Sequence, residues 1–304
     1  MSDAILDHEA RSPEAIRGSS LSGLALRRLM RNPGAVLSLY LVAILALVAS
    51  FGPTLWVHSY TTIFPSDIAI APTFRDLHLF GTDAEGRDMV ARTIFGLRIS
   101  LLVALAATGV ALTVGVVWGA IAGFSGGLID ALMMRIVDAL HPIPFIFFAI
   151  VLMTVVHFDD PVPNLVLIFC AIAAGECLTM ARIVRAQTVA WRGKAFVEAA
   201  RASGARPLDI VFRHIAPNVL GPVFVFATLN IPVLILAESF LSFIGFGVHE
   251  PMISLGSLLA GGRDEMQAPW VLIAPAATLF ITLLALNLLG DGLRGSRADK
   301  AVGQ

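Results

Sequence analysis

The chain has 304 residues, of which 57% are hydrophobic and only 14% charged, with a formal net charge of −1. A soluble domain is about one quarter charged, so too little polar surface remains here to clothe one, and the charge balance excludes a basic nucleic-acid binder. Cys170 and Cys177 lie seven apart in one apolar run, where a straight helix cannot bridge them, so neither a disulfide framework nor a metal motif follows.

Met1 to Glu14 is polar and lacks the basic start, short apolar core and small-residue cleavage site of a secretory signal. No cleaved signal is expected, and the first span would serve for insertion. Leu21 to Arg31 reads LSGLALRRLMR, with leucines on one side and arginines near its end. This pattern predicts an amphipathic helix lying on an anionic leaflet, the alternative being a plain extension of the first span. Asn32-Pro33-Gly34 is a turn signal that closes this N-terminal segment, residues 1–34.

Runs of roughly 20 apolar residues are long enough to cross a bilayer, and six are expected. They cover Ala35–Val57, Ile99–Ala122, Ile136–Val156, Val162–Ile183, Val219–Phe240 and Pro269–Gly290. The chain is therefore expected to be an all-α membrane protein. Its sections are the first span 35–57, an external segment 58–98, a five-span core 99–290 and a tail 291–304. With the N-terminus inside, 16 of the Lys and Arg residues fall on the inner side and 5 outside, so both termini are expected in the cytoplasm. Phe80–Arg98 strains this arrangement with three arginines outside, which Asp83, Glu85 and Asp88 could pair. Phe124-Ser125-Gly126-Gly127 would make a tight inner turn, His157–Pro163 a short outer one, and Phe243–Met266 a longer, glycine-rich outer segment.

Ionisable groups inside a bilayer are costly and invite a functional reading. Glu176 and Glu238 lie deep in the fourth and fifth spans, Asp138 and His141 three apart near the inner end of the third, and Asp291 at the inner end of the sixth. They would either line a watered pathway or gate it, or form ordinary interhelical and interfacial pairs. Asn230 and Pro232 are expected to mark a break in the fifth span.

The longest inner hydrophilic segment is Arg182–Asn218, within which residues 184–218 form the informative loop. Ala195–Ser203 holds helix formers with Phe196, Ala199 and Ala200 on one face. Gly204 suits a helix end and Pro207 a helix start. A second helix, Leu208–Ile215, is expected to end at Pro217. Two short helices meeting at a glycine would form a lever fit for another protein's groove, the alternative being an amphipathic connector lying flat on lipid.

Here the chain resembles a family. Glu198-Ala199-Ala200 with Gly204, Ile215 and Pro217 is similar to the EAA loop of ATP-binding-cassette importer permeases. FVEAARASGARPLDIVFRHIAPN resembles the C-type permeases of dipeptide, oligopeptide and nickel importers, as do three other blocks. These are Phe80-Gly81-Thr82-Asp83 with Gly86-Arg87-Asp88, Arg92, Gly96, Arg98 and Ser100; Glu238 with Leu241-Ser242-Phe243 and Gly245-Phe246-Gly247; and Ala285 to Arg294.

The resemblance runs from about Leu26 to Arg294 and implies the type I importer transmembrane fold in a bacterial inner membrane. It implies a B-type permease partner, two cytoplasmic ATPase subunits carrying ATP and magnesium, and an external binding protein. Glu198, Ala199, Ala200, Ser203 and Gly204 would form the first coupling helix and its bend, with Arg206 to Ile215 and Pro217 the second. The cargo would be a dipeptide, oligopeptide, glutathione or nickel chelate. Three departures stand out: Ala216 where leucine is usual, no tryptophan in Pro251–Gly256, and His141-Pro142-Ile143-Pro144 in a normally apolar span.

No phosphate-binding G-x-x-x-x-G-K-[ST] loop occurs, since Gly193-Lys194 lacks the required neighbours. The seven histidines show no metal-ligand spacing, and neither G-x-S-x-G nor H-E-x-x-H is present. No catalytic residue, cofactor or metal is expected on this chain. An ion-coupled carrier using Glu176 or Glu238 would show paired inverted repeats, and none is visible. A membrane enzyme lacks its motifs.

Overall fold

The computed structural model describes residues 32–156, 161–248, 250–265 and 267–298. The expected amphipathic helix Leu21–Arg31 and the turn at 157–160 lie outside them.

Asn32 caps the first span helix, α1 (Pro33–Leu55), through its side-chain oxygen, which accepts from the Gly34 and Ala35 amides. Leu37, Tyr40, Ile44, Leu47 and Phe51 recur on one face of α1 at helical spacing and all stay exposed, as a lipid-facing stripe would. The second helix, α2 (Met89–Ser125), starts ten residues before the predicted span. Asp88 is its cap, with one carboxylate oxygen 2.8 Å from the Ala91 amide. Hydropathy missed this start because Arg92 and Arg98 sit in the first turns.

The third span is not one helix. It consists of α3 (Gly127–Leu140) and α4 (Phe145–Val155), bent by 76° at His141–Pro144. Pro142 and Pro144 remove two backbone donors within one turn, and each ring opposes the carbonyl four residues back. By contrast, the break expected at Asn230 and Pro232 is absent. The helix α8 (Ala216–Phe243) runs straight through both residues and through Pro222. A lone proline removes one hydrogen bond, and packing restores the rest: Pro232 is buried.

The fourth span, α5 (Pro161–Arg192), continues nine residues past its predicted end. At 1.5 Å per residue its 32 residues reach about 48 Å, against about 30 Å of hydrocarbon, so it stands well clear at one end. Two short helices follow, α6 (Ala195–Ala202) and α7 (Pro207–Ile210), then α8. The segment after α8 holds a helix that hydropathy did not reveal, α9 (Leu255–Asp264), opened by a reciprocal Ser254–Ser257 capping box. The last span is α10 (Pro269–Ala298). Among the described residues, five helices, or six spans with the bent pair counted as one, are long and apolar enough to cross a membrane.

The centre of the molecule is α2 against α5. Ala104, Ala107, Ala111, Gly115, Gly119 and Ala122 form a stripe of small, buried residues along α2. A β-carbon at Gly115 would stand 2.6 Å from Met180 Cβ, one at Gly119 would strike the Ala181 carbonyl, and one at Gly123 would stand 2.8 Å from the Arg185 carbonyl. Backbones this close are the usual packing solution where lipid offers no hydrophobic drive between helices. Around this seam Leu97, Val103, Ile168, Ile172 and Ile235 complete the core.

Candidate functional site

The elbow begins where α5 leaves the helix layer. Arg192 donates to the carbonyls of Gly123 and Phe124 at 3.2 and 3.0 Å, closing the end of α2. Two turns back on α5, the Arg185 guanidinium grips both oxygens of Asp130 at 2.7 Å and ties α5 to α3. This two-point geometry fixes direction as well as distance.

At Ser203–Ala205 the backbone turns through a Schellman closure. The Ala205 amide reaches the Ala200 carbonyl at 3.1 Å, and the Gly204 amide reaches Arg201 at 3.1 Å. Gly204 has φ +78° with open space around it, so only its backbone conformation demands glycine. The Ser203 hydroxyl adds a bond to the Ala199 carbonyl at 2.9 Å.

The second helix of the elbow differs from expectation. After α7 the chain makes a π turn, Val211–Ile215, and runs directly into α8, with the Ala216 amide bonded to the Val211 carbonyl. Pro217 therefore does not end the helix. It sits in the first turn of α8, where its missing donor is harmless, and the widened turn precedes its ring. The part of the elbow after Gly204 and the fifth span are thus one continuous rod.

Val197, Ile210 and Ile215 are fully buried against Met180, Val184, Val219 and Val223, with Ala200 and Ala205 packed beside them. Glu198, Ala199, Arg201, Ser203, Gly204 and Arg206 face outward. Among the described residues, Glu198, Arg201 and Arg206 form no ion pair. The elbow is anchored by apolar residues and offers its polar groups to whatever meets it.

The other sequence candidates separate. Asp138 pairs with Arg182 at 2.6 Å as an exposed interhelical ion pair. His141 lies exposed at the α3–α4 break. Asn230 stands beside the Glu176 carboxylate, so these two candidates meet. Both Glu176 and His141 line a cavity of about 520 Å³ at that break.

Glu238 belongs elsewhere. It is wholly buried in a serine cage, with Ser100 and Ser242 each donating at 2.8 Å. The Ser100 oxygen in turn accepts from the Leu255 amide at 3.2 Å. Glu238 thereby joins α2, α8 and α9 and reaches no cavity among those described. Asp291 is exposed on α10.

At the opposite end of the molecule the Phe80–Arg98 block folds into a collar. Asp83 accepts from the Glu85 and Arg87 amides at 3.0 and 2.9 Å and from Arg87 Nε at 2.9 Å. Arg87 and Arg92 then converge on Glu250 at 2.7 and 3.1 Å. Trp270 donates to the Thr82 carbonyl at 3.0 Å, and Gly81, at φ +73°, leaves room for that indole. Of the expected acidic partners, Asp83 and Glu85 do pair with Arg87.

Asp88 instead takes His78 Nδ1 at 2.8 Å and Trp56 Nε1 at 3.0 Å. His58 stacks on His78, and ligand atoms of His58, His78 and Asp88 lie within 4.8 Å of one another, a proximity that sequence spacing did not reveal. His58 is engaged with the Asp76 carbonyl at 2.7 Å. These contacts make the cluster a polar clasp over the start of α2, in which the buried His78 Nε2 has no hydrogen-bond partner and lies 3.9 Å from Asp67.

With this geometry in hand, comparison with known proteins decides the family. Residues 115–296 match the family model of the binding-protein-dependent transport system inner membrane component. The chain belongs to that family. Residues 20–72 match the N-terminal transmembrane domain of oligopeptide transport permease C. The chain is 46% identical to the Haemophilus influenzae oligopeptide transport system permease protein OppC, covering 94% of this chain and 90% of the relative. It is 44% identical to the Escherichia coli K12 protein of that name, over 94% and 93%. It is 36% identical to the Bacillus subtilis dipeptide transport system permease protein DppC, over 95% and 90%. The fold is the type I importer transmembrane domain, and the chain is a multi-pass inner-membrane permease.

Proposed function

We propose that this permease is one of two membrane subunits of a peptide importer, and that its elbow carries the stroke of ATPase subunits bound at the inner face. The names of its relatives motivate the cargo: oligopeptides for one group and dipeptides for another. The lysine and arginine distribution, 16 inner against 5 outer, supports an elbow in the cytoplasm with both termini.

The observation that carries the reading is the elbow's division of faces. Val197 and Ile215 are buried in the helix bundle, while Glu198, Ala199 and Ser203 are presented outward. A docking lever needs both: a base that cannot slip and an unoccupied face. Ala199 lets a partner backbone come close, and Glu198 and Arg201 give it polar register. ATP and magnesium are held by the ATPase subunits, a B-type permease completes the pathway, and an external binding protein delivers cargo.

When the ATPase dimer closes, each elbow moves with it. Because the π turn joins the elbow to α8 without a loop, displacement passes straight into the fifth span. The pathway then changes between its two facing states as a rigid-body movement.

The test is Glu198→Arg in the assembled transporter reconstituted with its binding protein. Uptake should collapse while the subunits still copurify and the variant's unfolding temperature stays unchanged, since Glu198 is exposed. Unimpaired uptake would refute the coupling role.

A further inference from the structure

The break at His141–Pro144 has a consequence in the bilayer. Irregular backbone at membrane depth is tolerated only where it is buried in protein or faces a watered cavity. Here the residues of the break themselves line the cavity, together with Phe145, Phe148, Thr179 and Val233. Its volume of about 520 Å³ falls within the span of small-molecule sites. Broken helices near the membrane interior are also where transporters commonly place their binding sites.

Glu176 is the acidic group of this cavity. Asn230 stands beside its carboxylate, and the buried Oε1 has no hydrogen-bond partner. No lysine or arginine lines the space. The nearest cations on α5 are committed elsewhere, Arg182 to Asp138 and Arg185 to Asp130. Six residues separate Glu176 from Arg182, which sets the carboxylate about 9 Å further along the helix, into the apolar layer. A charge at that depth is costly to keep unanswered. The cavity's edge is also shaped next to it: a β-carbon on Gly175 would stand 2.5 Å from the Phe145 ring, so glycine there lets α4 lean onto α5.

We infer that this cavity is a cargo-contacting station of the pathway, and that Glu176 receives the cargo's ammonium group, above all the amino terminus of a peptide. The inference rests on the importer reading given above. The apolar walls accept side chains of varied shape, while the single carboxylate recognises the one group that peptides share at that end. His141 and Thr179 supply the remaining side-chain hydrogen-bonding groups.

The experiment uses the complete transporter in proteoliposomes with its binding protein, and two matched peptides, one with a free amino terminus and one N-acetylated. Dividing each variant's uptake ratio by that of the parent protein removes the binding protein's own preference. Glu176→Gln should lower the free-to-acetylated ratio about tenfold, the loss of one charge-assisted hydrogen bond. Glu176→Lys should invert the preference. Ratios equal to the parent in both variants would overturn the proposal. So would loss of the second permease on copurification of Glu176→Gln, which would make the residue an intersubunit pair. If the parent transporter takes up neither peptide, the importer reading itself fails and this inference falls with it.

Discussion

The elbow and the collar, at opposite ends of the same helices, treat charge in opposite ways. In the collar, Asp83, Arg87, Arg92 and Glu250 close on one another, and Asp88 closes on His78 and Trp56. In the elbow, Glu198, Arg201 and Arg206 stand outward, and apolar Val197 and Ile215 hold the structure in place. A region whose polar groups answer each other is built to hold a shape. One that leaves them open is free to be met, as the coupling proposal requires. The contrast separates a structural clasp from the proposed docking surface more clearly than the number of charges does.

The largest effect is expected at the bend. Gly204→Pro cannot take φ +78° and should misdirect the elbow. Uptake should fall about 5- to 150-fold, the range of allosteric coupling energies, in transport assays on the assembled complex. A fall of that size from an equally exposed collar substitution, such as Glu85→Ala, would break the distinction between the two ends.

Next come the groups that hold the rod beneath the elbow. Glu238→Ala would leave Ser100 and Ser242 without their acceptor, at about 1–3 kcal/mol for each orphaned group. Gly119→Leu would drive a side chain into Ala181 and Val184, at about 1–3 kcal/mol for overpacking. Thermal unfolding in detergent reads both, and Gly204→Ala, which must hold a left-handed φ, should lower stability by about 1–2 kcal/mol.

The collar should respond to acid. Burial alone would raise the Glu250 carboxyl, but Arg92 and Arg87 beside it hold it below the ordinary range. A group depressed in the folded state contributes its full stability above the ordinary glutamate value of about 4.3 and loses it as pH falls through the lowered value. Unfolding measured across that window should show a loss that Glu250→Gln abolishes. The smallest effect belongs to Asp138→Asn, since an exposed pair with Arg182 contributes about 0–1 kcal/mol.

Much of this architecture can be read from residue order, and the misreadings share a cause. Apolar runs locate the spans, and Gly204 and Pro207 locate the bend, because helix ends are set by local backbone chemistry. Hydropathy does not register direction, so the run Ile136–Val156 hides a 76° turn at Pro142 and Pro144. The same arithmetic cannot weigh one proline against a packed neighbour, which is why Pro232 and Pro217 suggested interruptions that α8 does not have.

Of the candidate site, the outward elbow residues and Glu176 were visible as exceptions to their surroundings. The cage of Glu238 was only half visible. Ser239 and Ser242 lie within four residues of it, whereas Ser100 arrives from 138 residues away. The α2–α5 seam could have been found from Gly115, Gly119 and Gly123 at four-residue spacing.

The most direct measurement places a single cysteine at Ala199 in a background lacking Cys170 and Cys177, within the assembled transporter. A short bifunctional thiol reagent should join it to an ATPase subunit carrying its own introduced cysteine, and ATP should change the yield. Labelling of that cysteine in intact cells by a membrane-impermeant reagent, with no cross-link to the ATPase, would contradict the account.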